Sequence, residues 1–287
     1  MNDQNTAAGA EQPLLAGLLP LMACPDCRGA LSQAGAALRC AACGTEFHAV
    51  EGIPVFTRFG SAEAWLGDKP DETSESYQQS YQKLKEAARY NAMYADRWHK
   101  RWITQREHDL LERLLSSQPR CATLLDLPCG GGRLSPQIGR HTDLLIEADI
   151  GLGQVQYGRE FGRASTAQVW MTASGFHIPF RDASLDAIVC VRLNHHLPTP
   201  QERERLVREL LRVARRYVVM TFFDHDSVKN RLRRVRQPFN KKPPKMTMTV
   251  DRVRELALEC GFDLVECPVL VHFGSGHRYA LMVKRGA

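Results

Sequence analysis

From residue 108 onward, apolar positions follow two alternating patterns. Short runs rich in Val, Ile and Leu at 122–127, 143–150, 167–172, 185–193 and 217–223 read as buried strands. Between them, at 133–140, 153–163 and 200–214, the pattern has the three-to-four-residue period of amphipathic helices. The last of these helices opens on Thr199-Pro200-Gln201-Glu202, a capping box with proline in the first turn. Further on, 249–260 reads as a helix stopped by Gly261, and 264–270 and 279–284 as two final strands. Strands alternating with helices predict an α/β domain over 106–287, a doubly wound, mostly parallel seven-stranded sheet covered on both faces.

Upstream the pattern is weaker. Residues 59–105 read as a linker followed by a helix. Tyr77, Tyr81, Leu84, Ala88, Met93, Tyr94, Trp98 and Trp102 recur near helical spacing. Such a stripe packs on a neighbouring domain or, in the sharper reading, forms a lid over a cleft, with Tyr90 and Tyr94 facing it. Residues 1–20, rich in Ala, Gly and Gln at first, are expected to be disordered. No apolar run reaches the ~20 residues of a membrane helix, and the short run at 14–23 follows a stretch with Asp3 and Glu11 and no Lys or Arg, unlike a signal peptide. A cytoplasmic location is expected.

Cysteine usage adds a second unit. Of nine cysteines, four form Cys24-Pro-Asp-Cys27 and Cys40-Ala-Ala-Cys43, followed by Gly44. Two such knuckles can offer four thiolates to one structural zinc ion, so Cys24, Cys27, Cys40 and Cys43 are the metal candidates, within a small zinc ribbon over 21–58. A unit this small lacks an adequate core, and metal binding would supply its folding free energy. The other five cysteines show no disulfide-like spacing, which fits a reducing compartment.

Charge changes the picture once more. The formal net charge is +6, yet 228–245 alone holds eight cations and no acid, so the basicity is local. An anionic substrate bound near Lys229–Lys245 is the first candidate partner and RNA the second; Phe239 alone interrupts the charges, which makes a stacking platform for RNA thin.

The candidate chemistry sits at 124–134, Leu-Leu-Asp-Leu-Pro-Cys-Gly-Gly-Gly-Arg-Leu, a strand ending in an acid and turning through glycines into a helix. A dinucleotide fingerprint would need Gly or Ala at Ser135, and a P-loop would need Gly-Lys-Ser/Thr; neither is present. From about 90 to 284 the chain resembles the class I S-adenosylmethionine-dependent methyltransferases, closest to the ubiquinone and menaquinone biosynthesis subgroup. The resemblance rests on that loop, on Glu147-Ala-Asp149-Ile150, on 178–186, on Leu193-Asn194-His195-His196-Leu197, and on Glu209-Leu-Leu-Arg212-Val213.

The resemblance implies S-adenosylmethionine as cofactor. Gly130 and Gly132 would give it room against the backbone, Asp126 would help anchor its ammonium group, and Asp149 would accept from its ribose hydroxyls. Leu127, Pro128, Ile150, Ser174, Gly175 and Arg192 would complete the site. Two departures stand out: Pro128 replaces the family's first loop glycine, and Ser174 replaces the acid that contacts the adenine amino group, so looser binding is expected. If methyl transfer needs a base, His195 and His196 are the candidates. Asp224 and His225 form a second pair better read as a solvated loop.

Residues 24–56 resemble two zinc ribbons, the zinc-binding activator of tRNA and protein methyltransferases and the N-terminal module of bacterial rRNA guanine methyltransferases. The expectation is an S-adenosylmethionine-dependent methyltransferase acting on an anionic small molecule or a lipid- or sugar-linked metabolite. The alternatives are an rRNA or tRNA methyltransferase, and a non-catalytic binding protein on a degenerate fold.

Overall fold

The computed structural model describes residues 14–57, 98–236, 245–271 and 275–286. The large sheet contains β5 (Cys121–Asp126), β6 (Thr142–Asp149), β7 (Ala167–Thr172), β8 (Leu185–Cys190), β9 (Ala214–Phe223), β10 (Phe262–Glu266) and β11 (His277–Lys284). Its order is β10-β11-β9-β8-β5-β6-β7. β5 to β9 pair in parallel, whereas β11 runs antiparallel to both β9 and β10. Every residue of β8 is buried, as a central strand covered on both faces requires. Strand order reverses between β5 and β8, so their carboxyl ends open a crevice at a topological switch point.

Helices α1 (Trp98–Ser116), α2 (Ser135–Ile138), α3 (Leu152–Phe161), α4 (Pro200–Val213), α5 (Val228–Val235) and α6 (Val250–Glu259) complete the described domain. On one face α1 buries Leu111, Leu114 and Leu115 against Cys121, Leu124, Leu145, Val189 and Tyr217. On the other, α4 and α6 bury Leu206, Leu210, Val253 and Leu256 against Leu125, Ile146, Ile188 and Val218. α4 starts where the capping box predicts: Thr199 accepts from the Glu202 amide, and the Glu202 carboxylate accepts from the Thr199 amide.

The small unit is an antiparallel sheet of β1 (Leu31–Ala34), β2 (Ala37–Cys40), β3 (Glu46–Val50) and β4 (Ile53–Pro54), in sequential order. It is not a separate body. Leu31, Leu38, Phe47 and Phe56 share the core of the large domain with Ile178 and Phe180. Val55 bridges in parallel to Thr172 at the end of β7, the Phe56 amide donates to the Thr172 carbonyl at 3.2 Å, and the Ala23 amide donates to the Pro179 carbonyl at 3.1 Å. The small unit thereby covers part of an edge strand that would otherwise present unpaired backbone.

Several boundaries differ from the sequence reading. The helix expected at 133–140 is α only at Ser135–Ile138 and then 3₁₀, because Gly130, Gly131 and Gly132 at φ of 53°, 84° and 75° keep the chain out of helix until Ser135. β8 ends at Cys190, since Arg192 turns to φ 67°. β9 starts at Ala214, directly after α4, and β10 covers 262–266 rather than 264–270. Residues 14–18 are helical and Leu19–Leu21 a 3₁₀ turn, with Leu18 and Met22 buried, so order begins earlier than the expected disorder over 1–20 allows. The basic stretch begins as helix α5 rather than a loop. Tyr77 to Tyr94, the proposed lid, lie outside the described residues.

One glycine closes the fold around the loop. A Cβ on Gly132 would lie 2.6 Å from the Gly162 Cα, at a left-handed φ that disfavours side chains. Gly132→Ala is expected to lower stability by roughly 2–4 kcal/mol, measured by urea unfolding against wild type.

Candidate functional site

The glycine loop leaves β5 at the switch point and is pinned on both sides. The Leu127 amide donates to the Val189 carbonyl at 3.0 Å and the Cys129 amide to the Ala148 carbonyl at 2.8 Å, so Pro128 sits between anchored neighbours. Asp149 closes the far side. One carboxylate oxygen accepts from the Gly130 amide at 3.1 Å and the other from the Gly151 amide at 2.9 Å. Each oxygen keeps a lone pair for a hydroxyl donor. A Cβ on Gly130 would meet nothing within 4 Å, so the loop faces open space where the backbone is bare.

Beneath the loop lies a cluster of buried acids. Asp126 and Glu147 are register partners on β5 and β6, both fully buried, and Asp149 is nearly so. Neither Asp126 oxygen has a hydrogen-bond partner, nor does one oxygen of Glu147. Burial, then the charges of Glu147 and Asp149, push the Asp126 carboxyl far above the usual range. Burial also raises Glu147 to about 7 and Asp149 to about 6. Unpaired buried carboxyls are costly, and a nearby cationic ligand would relieve them by stabilising the ionised forms.

The remaining predicted cofactor residues divide. Ile150 and Pro128 are half-buried around the loop, and Ser174 turns its hydroxyl to accept from the Phe176 amide at 3.2 Å. The Leu127 side chain belongs to the core. Gly175 packs where a Cβ would meet Leu206 and Leu193, so its role here is close approach of the chain to α4 and the segment after β8. The Arg192 guanidinium is held by an acid that the sequence reading missed.

That acid is Glu107 on α1. Fully buried, it lies 2.8 Å from Arg192, 3.1 Å from Arg133 and 3.0 Å from the Tyr279 hydroxyl. Burial alone would raise its pKa, but Arg133 and Arg192 prevail and hold it below the usual carboxylate range. The signal for it was an acid on the apolar face of a helix, four residues from both Ile103 and Leu111.

The two candidate bases fare differently from the expectation. His195 is wedged among the rings of His196, Phe223 and His277, at 4.3, 4.5 and 5.0 Å between centroids. Burial, then neighbouring histidines and cations, push its pKa down to about 2, and burial lowers His277 to about 4. An imidazole that weakly basic is a poor proton acceptor at neutral pH, so its burial among these rings counts against His195 as a general base. His196 is exposed, and its pKa is also lowered, first by desolvation and then by Lys245 and Arg192. Asp224 is not the solvated loop residue expected: it is buried and bonds Arg278 at 2.7 Å.

The four candidate metal ligands converge. Their sulfurs all lie within 4.8 Å of one another, with Cys24 to Cys43 at 3.8 Å and Cys27 to Cys40 at 3.4 Å. Tetrahedral metal–sulfur bonds of ~2.3 Å give edges of about 3.8 Å. A Cβ on Gly29 would press on Cys40 and Cys27 sulfurs at 2.9 and 3.3 Å, so the backbone closes tightly on the cluster. Burial pushes the Cys24 thiol up to about 12, whereas the contact with the Thr45 side chain brings Cys43 down to about 6.

Comparison with known proteins agrees with this geometry. Residues 125–222 match a methyltransferase domain family. A protein of Encephalitozoon cuniculi carried under a provisional methyltransferase name is 29% identical over 114 residues, which cover 39% of this chain and 50% of the relative. The match thus spans about half that relative's length. The structure resembles magnesium protoporphyrin IX methyltransferase from Synechocystis PCC 6803 with bound S-adenosylhomocysteine, at a TM-score of 0.61 and 14% identity over 74% of this chain and 99% of that one. It also resembles the N-methyltransferase NodS of Bradyrhizobium japonicum WM9, at 0.55 and 13% over 75% and 100%. A further likeness is to the complex of the Haloferax volcanii Trm112 methyltransferase activator with a provisionally named methyltransferase, at 0.53 and 13% over 73% and 98%. At such identities the likeness shows the fold. The large domain thus has the Rossmann-like fold of these methyltransferases, and its residues 125–222 match the methyltransferase domain family.

The Glu107 node is testable. Glu107→Gln leaves Arg133 and Arg192 facing a neutral amide and is expected to cost about 3 kcal/mol of stability, read by chemical denaturation; an unchanged midpoint would remove the node from the account.

Proposed function

We propose that the protein is an S-adenosylmethionine-dependent methyltransferase that acts on an anionic acceptor, a small molecule or a lipid- or sugar-linked metabolite, bound near the basic stretch from Lys229 to Lys245. The observation that carries the cofactor assignment is the unpartnered Asp126 carboxyl beneath a bare glycine loop whose Gly130 amide is held by Asp149. A sulfonium cofactor brings a cation to that buried negative cluster and ribose hydroxyls to Asp149, and the match over 125–222 supports the same reading. The resemblance to the ubiquinone and menaquinone subgroup favours a small acceptor over RNA, and nine unbridged cysteines support a reducing, cytoplasmic setting.

Methyl transfer from a sulfonium needs alignment and exclusion of water more than acid–base machinery. Bound in the crevice, the cofactor supplies an electrophilic methyl group. The chain's own part is to orient it. Asp149 and the Gly130 and Gly132 backbone hold the nucleoside side, Ser174 borders the adenine side, and the His195, Phe223 and His277 rings form a low-polarity wall.

We further infer that Cys24, Cys27, Cys40 and Cys43 hold a structural zinc ion. Protein purified without chelator is expected to contain about one zinc per chain, and Cys24→Ala or Cys43→Ala to lower both the zinc content and the melting temperature. Absence of metal from freshly purified protein would refute this.

The cofactor reading has a proton signature. In the free protein Asp149 binds a proton below about pH 6 and Glu147 below about pH 7. A cationic ligand lowers both pKa values, so binding releases protons and the affinity rises as pH rises through this range. Titration calorimetry in buffers of different ionisation enthalpy is expected to show more proton release with S-adenosylmethionine than with S-adenosylhomocysteine, and Asp149→Ala to weaken both by about tenfold or more. No heat with either ligand would leave the non-catalytic binding protein as the better reading. A methyl-transfer assay on host extract, with the product identified by mass, then names the acceptor.

A further inference from the structure

Helix α5 carries an apolar face that the described fold leaves uncovered. Val228, Leu232 and Val235 are 46%, 51% and 73% exposed, so three of the eight large exposed hydrophobics among the described residues fall on this one eight-residue helix. At 3.6 residues per turn they lie within an arc of about 60°, opposite Asn230. The helix cannot roll that face inward. Asn230 is buried, donates to the Asp224 carbonyl at 2.7 Å, and fills the space where a Cβ on Gly276 would lie 2.6 Å from its side-chain nitrogen. The Ser227 hydroxyl caps the helix by accepting from the Asn230 amide at 3.3 Å.

Cations surround this stripe. Lys229 and Arg231 flank it, and Arg233, Arg234 and Arg236 lie on the sides and end of the helix. From 227 to 250 there is no acid; the nearest, Asp226, lies 3.4 Å from Arg231 in an exposed pair that contributes little. A polyanion such as RNA would explain the cations but not three aliphatic side chains held outward among them. An apolar protein groove would explain the aliphatics but not the absence of acids. An anionic bilayer accounts for both, taking the aliphatic stripe into the headgroup–acyl boundary and the cations onto lipid phosphates.

We propose that α5 docks the protein on an anionic membrane surface through Val228, Leu232 and Val235 and their surrounding cations. The helix follows the carboxyl end of β9, and the Lys245 ammonium lies 5.9 Å from the ring of Phe223, the last residue of that strand. Docking therefore turns the mouth of the crevice toward the lipid. That the acceptor is itself lipid-borne rests on the methyltransferase reading; the docking does not, and its test needs no cofactor.

The test is flotation of the full chain with phosphatidylcholine vesicles, with and without phosphatidylglycerol, at physiological salt. Binding is expected with the anionic vesicles alone and is expected to fall at high salt. Leu232→Gln with Val235→Gln should reduce it by about tenfold or more, while the melting temperature and S-adenosylhomocysteine titration stay those of the parent. Leu232→Trp should add a blue-shifted emission on anionic vesicles only. Equal partition to neutral and anionic vesicles, or unchanged binding by the double variant, would overturn the proposal. So would a parent that ignores vesicles but binds single-stranded RNA in a salt-dependent way, with the double variant binding it equally.

Discussion

The carboxylate of Glu107 is the contact on which the geometry of the crevice depends. Fully buried, it takes its compensation from three different elements. Arg133 leads out of the glycine loop, Arg192 follows β8, and Tyr279 belongs to β11. A buried ion pair gains little stability over a well-packed apolar cluster, but breaking one is expensive. The arrangement therefore acts as a positional constraint. α1 cannot leave the sheet without drawing Glu107 away from two guanidinium groups, and the loop cannot shift without moving Arg133 from it. The left-handed Arg192 backbone fits the same demand, since its amide is held by the Thr221 hydroxyl at 2.7 Å while its side chain turns back to Glu107.

With the rim fixed, the floor of the loop can carry unsatisfied charge. Asp126, Glu147 and Asp149 lie buried among the apolar Leu125, Ile146 and Ala148. Burial raises the pKa of all three acids, and the charges of Glu147 and Asp149 raise that of Asp126 further. Such a cluster is poorly adapted to an empty site and well adapted to a site that receives a cation. The same cluster accounts for Cys129 staying a thiol: burial, then the three carboxylates, push its pKa far up.

Much of this was legible in the sequence because it is local. Apolar runs and helical periods located five parallel strands, the Thr199 capping box fixed the start of α4 to the residue, and the paired knuckles named the four cysteines that converge. What stayed illegible depends on partners distant in the chain. Glu107 meets residues 26, 85 and 172 positions away, so nothing around it announces its role beyond an acid on an apolar helix face. Gly175 and Arg192 enter the expected cofactor site through the family resemblance, and the fold shows for each a second role set by distant partners: packing of Gly175 on Leu206 and pairing of Arg192 with Glu107. His195 is the same lesson in electrostatics: a histidine at a strand tip has the right identity for a base, but the rings around it remove its basicity. The amphipathic character of α5 was hidden because its charges dominate the composition, and only the buried Asn230 shows which way its aliphatic residues point.

These features share one electrostatic logic. Negative charge is sequestered at the floor of the crevice, where the low-dielectric surroundings magnify it, and positive charge is displayed at the rim, where salt and solvent can screen it. A cation is thereby favoured at depth and an anion at the surface. Had both zones carried the same sign, a zwitterionic or cationic ligand in the floor would repel or displace whatever occupies the rim. Opposite signs at different depths suit ligands of opposite charge without setting them against each other. The aliphatic stripe of α5 belongs to the outer zone, and its neighbours there are all cations. The helix proposed to dock on the membrane thus joins aliphatic and cationic side chains in one short element.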